Sequence, residues 1–204
     1  MVNITDRLLM LDNLKKYRIL LCSKSPRRRE LLRMLDVDFD IAPDIEVDET
    51  WPAGMEAERV PLFLSALKAR GYADAGLLTD GNMLITADTV VVCGGKVIGK
   101  PRSKAEAADM LRFMAGRTHT VVTGVSITTA DRQESFDVRT KVVFAPLSDS
   151  EIDYYVENYS PMDKAGAYGI QEWIGAAAVE RIEGSFYNVM GLPVHQLYTQ
   201  LKRF

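Results

Sequence analysis

Apolar positions along the chain fall into two spacings. Runs of aliphatic and β-branched residues at 18–22, 83–93, 120–128 and 135–144 read as strands, the 83–93 run most clearly because it is rich in Val, Ile and Thr. A shorter strand is expected at 39–42. Gly94-Gly95 reads as a hairpin turn leading into a return strand at 96–98, and the strands at 120–128 and 135–144 are joined around Asp131. Helical spacing takes over at 57–73, with Pro61 near its start, and at 104–115, where Gly116 stops it. Ser25-Pro26 opens a helix with apolar positions at Leu31, Leu32, Met34 and Leu35; Ser suits the N-cap and Pro the first turn. Ser148 or Asp149 caps another helix reaching about residue 159. A Gly-rich segment at 166–175, a last short strand and a helix over 194–203 finish the chain. Strands alternate with helices, but hairpins interrupt the middle. The expectation is an α/β fold with a mixed sheet flanked by helices, not a purely parallel doubly wound one.

Length and charge narrow the picture. A chain of 204 residues suits one sizeable domain, or one with two lobes, and buries a core without staples. Its net charge of −3 offers no global field for nucleic acid, so any polyanion must be held by local clusters. Cys22 and Cys93 are the only cysteines, both in apolar strand-like runs, and read as buried reduced thiols. The first residues mix Asp6, Arg7, Asp12, Lys15 and Lys16 with leucines and lack the unbroken apolar stretch of a signal peptide. No window approaches a membrane span. The expected compartment is the cytoplasm, without membrane association, and the glycosylation patterns at 3–5 and 158–160 are read as accidental.

Five segments carry chemistry. In Ser23-Lys24-Ser25-Pro26-Arg27-Arg28-Arg29, three arginines crowd the first turn of a helix, where the dipole is positive and each exposed cation costs roughly 0.3–1 kcal/mol. A bound anion reverses that cost: helix N–H groups, Ser hydroxyls and Arg forks make a phosphate cradle, the alternative being a solvated basic patch. Asp88 lies inside an apolar strand, where a carboxylate is expensive unless it is paired or holds a cation. It suits a Mg²⁺ ligand, an activator of water, or a buried salt bridge. Thr89, next to it, points to the opposite face of an ideal strand, so if both line one site the strand is expected to bulge or end there. Gly94 to Lys100 matches half of a P-loop, but Pro101 stands where the metal-binding hydroxyl belongs, and that reading is rejected. Lys100 remains either a point charge for a phosphate or a surface lysine. Asp44, Glu46, Asp48 and Glu49 form an acidic loop that suits a hard metal or plain solvation. Asp163 to Gln171 packs small residues around an amide, which suits either close approach to a flat ligand, with Gln171 reading a base edge, or a turn around Gly166 and Gly169. His119 and His195 lack any ligand pattern, and no Ser-His-Asp or Cys-His set is present to argue from.

Five stretches, in order, resemble the Maf family of nucleotide pyrophosphatases: LCSKSPRRRELL at 21–32, ITADTVVVCGGKVIGKP at 85–101, MLRFMAGRTHTVVTGVSI at 110–127, PMDKAGAYGIQ at 161–171 and SFYNVMGLP at 185–193. The match spans about residues 18–204 as a single domain and leaves 1–17 as an extension. The resemblance implies an elongated α/β fold of the inosine triphosphate pyrophosphatase type, with two lobes around a central cleft. It also implies Mg²⁺- or Mn²⁺-dependent hydrolysis between the α and β phosphates, and a homodimer. The family's functional positions fall here on Ser23, Ser25, Arg27, Arg28, Lys68 and Lys100 for substrate and on Glu49 and Asp88 for metal. Glu46 and Asp48 stand close to Glu49 in a loop of variable length. A subgroup resembling dTTP/UTP enzymes carries Arg, Thr and Gln at specificity positions, here Arg27, Thr89 and Gln171. The expected reaction is attack of water on the α phosphorus of a pyrimidine nucleoside triphosphate, with Asp88 accepting the proton. The competing expectation is a nucleotide-binding regulator of cell division with little turnover. Nucleic-acid binding through residues 24–29 is disfavoured by the acidic balance and the lack of interleaved aromatics.

Overall fold

A computed structural model of the chain describes residues 11–204. The pattern at 3–5 and the first ten residues of the expected extension lie outside the described residues. The helices are α1 (Pro26–Arg33), α2 (Val60–Asp74), α3 (Lys104–Met114), α4 (Asp149–Tyr159), α5 (Trp173–Ala178), α6 (Phe186–Met190) and α7 (Val194–Leu201). The strands are β1 (Arg18–Cys22), β2 (Asp40–Ile41), β3 (Asn82–Cys93), β4 (Lys96–Ile98), β5 (Thr118–Thr128), β6 (Gln133–Phe144) and β7 (Val179–Glu183). They form one sheet in the order β2-β1-β3-β5-β6-β7, with β4 also on β3. β1 runs parallel to β2 and β3, and the remaining pairs are antiparallel, so the sheet is mixed as expected.

The long strands explain the two lobes. β3 and β6 have 12 residues and β5 has 11, roughly 40 Å of strand at about 3.3 Å per residue. One sheet face carries alternate residues of β3 and β5. At one end Met83, Ile85, Ala87, Val125 and Ile127 pack with Leu31 and Leu32 of α1 and Leu197 and Leu201 of α7. At the other end Val91, Cys93 and Val121 pack with Leu111, Ile152, Tyr155 and Ile174 from α3, α4 and α5. Between these cores the same alternation reaches Thr89 and Thr123, whose hydroxyls lie 2.9 Å apart. A polar pair thus interrupts the apolar row and marks a waist.

α2 covers the opposite face, with Val60 and Leu64 against Val90, Val92 and Val122. Its first turn comes so close that a Cβ on Gly124 would lie 2.3 Å from the Pro61 carbonyl oxygen. Only glycine admits that approach.

Several elements differ in extent from the sequence expectation. β2 is two residues, residues 57–59 form a single 3₁₀ turn before α2, and α7 stops at Leu201. Met34 is 53% exposed because α1 ends at Arg33 and leaves Met34 as its C-cap. α5 and α6 have six and five residues, too few for a helical period to show in sequence. Residues just before β1 are tied to the far end of the chain: Leu14 joins the α1/α7 core, and the Asn13 amide donates to the Leu201 carbonyl at 2.7 Å. No helix among the described residues is long and apolar enough to cross a membrane.

Candidate active site

The site is built on an unpaired stretch of strand. β1 accompanies β3 only as far as Thr86, and β4 joins it at Val91. Ala87 to Val90 therefore have a free edge on that side, while β5 pairs with them without interruption on the other. Asp88 and Thr89 point to opposite faces as an ideal strand requires, yet both line the cleft, because the cleft wraps around this edge. The expected bulge or strand end is absent; what ends is the neighbouring strand.

The basic cluster closes over that edge. The Ser25 Oγ caps α1 by accepting from the Arg28 N–H, and Pro26 occupies the first turn. Arg28 then spans the cleft floor. Its Nε donates to the Gly191 carbonyl at 2.8 Å, Nη1 to the Ala87 carbonyl at 2.9 Å and to Ser23 Oγ at 3.4 Å, and Nη2 to Thr89 Oγ1 at 3.0 Å. Burial pulls its guanidinium below the ordinary arginine range, and Asp88 pushes it back up. Thr123 donates to the Asn188 carbonyl at 3.1 Å, so the shared Thr89–Thr123 proton belongs to Thr89. Thr89 therefore has its one proton committed and can only accept from a further group.

Across the edge, on the α2 side, the Lys68 Nζ lies 2.6 Å from Asp88 Oδ1 and 2.9 Å from Glu49 Oε2. Glu49 gets there because its loop is pinned to α2: a Cβ on Gly71 would lie 2.7 Å from Val47 Cγ2. Of the other acidic-loop residues, Asp44 pairs with Lys24 at 2.6 Å, while Glu46 and Asp48 are solvent-exposed. Lys100 borders both parts of the cleft and has no ion-pair partner among the described residues.

The far wall comes from the segment after α4. Arg27 Nη1 donates to Asp163 Oδ2 at 2.6 Å, and Lys164, almost fully buried, pairs with Asp163 at 2.9 Å and Glu172 at 3.1 Å. Burial alone would raise the Asp163 carboxyl, but hydrogen bonds from Lys164 and Arg27 outweigh it and hold the group at about 2. Tyr168, Gly169 and Gln171 complete this wall together with Val91, Val121 and Met190. Gln171 is exposed to the cleft. Behind it the Tyr168 hydroxyl meets His119 Nε2 at 2.8 Å, and burial lowers His119 to about 4.

The Maf-like protein family model matches residues 18–204. This chain belongs to the Maf family. A Porphyromonas gingivalis relative named dTTP/UTP pyrophosphatase is 56% identical over 96% of this chain and 98% of its own length. Relatives of the same name from Phocaeicola vulgatus and Flavobacterium johnsoniae are 50% and 44% identical, covering 95% and 93% of the chain. Among solved structures, a Staphylococcus aureus Ham1 protein matches with a TM-score of 0.55 over 91% of this chain and 98% of its own, at 15% identity, which shows a shared fold.

In this Maf chain every residue singled out from sequence borders one continuous cleft: Ser23, Ser25, Arg27, Arg28, Glu49, Lys68, Asp88, Thr89, Lys100 and Gln171. The sequence reading did not single out Asp163, Lys164, Glu172 or Tyr155. Asp163 and Lys164 lay inside a flagged motif, but Arg27 is 136 positions from Asp163 and Glu172 falls one residue past the motif, so only the buried Lys164 of the folded chain reveals the network. Among the described residues no group of three or more His, Cys, Asp or Glu side chains surrounds a common point, so no all-protein metal cage exists. Asp88 and Glu49 nevertheless converge on one position, filled by the Lys68 ammonium. Two carboxylates and open space toward a phosphate cradle fit Mg²⁺, which keeps waters and takes substrate phosphates as its other ligands.

Proposed function

We propose that this chain hydrolyses dTTP and UTP to the nucleoside monophosphate and pyrophosphate, using a divalent cation held by Glu49 and Asp88. The supporting observation is the meeting of Asp88, Glu49 and Lys68 in one cleft with an arginine-rich helix start and with Lys100, which has no ion-pair partner among the described residues. The relatives' shared name supports the same substrate class. When bound, the cation would supply charge neutralisation at the phosphates and lower the pKa of nearby water.

The chain's own groups divide the work. The helix start at Ser25, with Arg27, and Lys100 hold the triphosphate. Arg28, most of whose donors are already used, ties Thr89 and the β3 edge to α1 and offers little more than its charge. Asp88 Oδ1 accepts from Lys68, and Oδ2 has no partner among the described residues, leaving it to accept the proton of a water attacking the α phosphorus. The bond from that phosphorus to the bridging oxygen breaks, and pyrophosphate leaves. Thr89, able only to accept, suits the ring N–H of uracil or thymine and opposes cytosine, which presents an acceptor there. Gln171 supplies a donor and an acceptor for the base edge. Both cysteines are buried free thiols in separate cores, and burial pushes Cys22 up to about 12.

The test is turnover with Mg²⁺ across a panel of nucleoside triphosphates in ¹⁸O-water. The expected products are monophosphate carrying the label and unlabelled pyrophosphate, fastest from dTTP and UTP. Label in orthophosphate, or tight binding without release, would reject the reading.

A further inference from the structure

We propose that Glu172 is the positioning residue of the base-reading wall: clasped between Lys164 and the Tyr155 hydroxyl, it sets the turn that presents Gln171. This rests on the nucleotide-hydrolase reading above. Glu172 Oε1 pairs with Lys164 at 3.1 Å, and Oε2 accepts the Tyr155 hydroxyl proton. That hydroxyl in turn accepts from the Gly169 N–H at 2.9 Å, and the Glu172 N–H closes the turn on the Gly169 carbonyl at 2.9 Å. The carboxylate is packed so tightly here that a Cβ on Gly169 would lie 2.7 Å from Glu172 Cδ and 3.0 Å from Gln171 Nε2. Both ends of the turn are thereby fixed to α4, and Gln171, which lines the cleft, sits between them.

The clasp also reaches the phosphate side. Lys164 bridges Glu172 to Asp163, and Asp163 holds Arg27. Charges alternate along this line, and Lys164 is too buried to be resolvated when one partner is lost. Gln171 itself makes no hydrogen bond among the described residues, so its placement derives from the turn rather than from its own contacts. A free amide on a mobile turn discriminates poorly, because it loses rotamer freedom on binding any base.

The experiment compares kcat/KM for dTTP and dCTP in the wild type, Glu172→Gln, Tyr155→Phe, Gln171→Ala and the Glu172→Gln/Gln171→Ala double variant. Each is first checked for cooperative thermal unfolding. Glu172→Gln is expected to lower the dTTP/dCTP ratio about tenfold, with most of the loss in KM for dTTP. Tyr155→Phe, which removes one hydroxyl and no charge, is expected to lower it about threefold. The double variant should be no worse in ratio than Gln171→Ala alone, because both act through one amide. A purely structural role for Glu172 would depress both substrates equally; an unaltered ratio in Glu172→Gln and Tyr155→Phe overturns the inference while leaving the hydrolase reading intact. A ratio loss that adds in full to that of Gln171→Ala also overturns it. Wild-type protein that does not hydrolyse these nucleotides overturns both, whereas one that hydrolyses dTTP and dCTP equally overturns this inference alone.

Discussion

Two lysines in this cleft each bridge two carboxylates, and their surroundings differ. Lys68 lies between Asp88 and Glu49 at 2.6 and 2.9 Å, and the Glu49 side chain is 51% exposed on a loop. Lys164 lies between Asp163 and Glu172 at 2.9 and 3.1 Å, with Glu172 only 19% exposed and locked by Tyr155. On the proposed reading the first cluster exchanges partners, a metal and a triphosphate taking the places that Lys68 and the carboxylates now fill for one another. The second is held more firmly: Asp163 is as exposed as Glu49, but Glu172 is also clasped by the Tyr155 hydroxyl, while Asp88 Oδ2 has no partner among the described residues. If the proposed roles hold, the groups that meet a polyanion have interchangeable partners, whereas the groups that tell bases apart have fixed ones.

The comparison can be broken or sharpened by four measurements. The largest effect is expected at Asp88: Asp88→Asn keeps the shape and loses the charge, and should reduce kcat with dTTP about a thousandfold, roughly 4 kcal/mol. Near-normal turnover of that variant would remove Asp88 from the chemistry and undo the assignment of the phosphate side. Next is the waist that joins the two sides. Gly124→Ala places a methyl against the α2 backbone and should cost about 3 kcal/mol in urea unfolding; an unchanged midpoint would mean that α2 moves freely over β5.

A similar magnitude is expected behind the base wall, from His119. Burial lowers it from 6.5 to about 4, so between these values the unfolded chain binds a proton that the folded chain refuses. Stability is then full above about 6.5 and falls as pH drops toward 4, by roughly 3 kcal/mol in total. Unfolding free energy measured across that window checks it, and His119→Asn should flatten this part of the slope. An equally steep slope in the variant would assign it to other groups. The smallest effect belongs to the exposed reader: Gln171→Ala should lower kcat/KM for dTTP about tenfold, roughly 1.4 kcal/mol, with little change for tripolyphosphate. Equal losses on both would show that Gln171 does not touch the base.

Much of the scaffold was legible from pattern. The β-branched run that became β3, the Ser-Pro start of α1, the Gly94-Gly95 turn and the capped α4 are local features, each decided by a few neighbouring residues. Short elements without a full period, α5 and α6, were not legible. In the site, the chemical types and the motif order identified the family, and with it the residues worth watching. Their partners were not readable. Nothing local pairs Arg27 with Asp163, 136 positions away, or selects Glu49 over Glu46 and Asp48 for Lys68.

By itself, then, the sequence determined the mixed α/β class, the family and the identities of the polar groups, because propensity, capping and motif order are short-range properties. Tertiary structure decided how those groups are used. The Asp88–Thr89 pair shows why: adjacent strand residues face opposite sides, and they share a cleft only because β1 stops at Thr86 and leaves the edge of β3 open. Which strand ends first, and which carboxylate a buried lysine keeps, depend on the packing of segments far apart in the chain, and no local pattern encodes them.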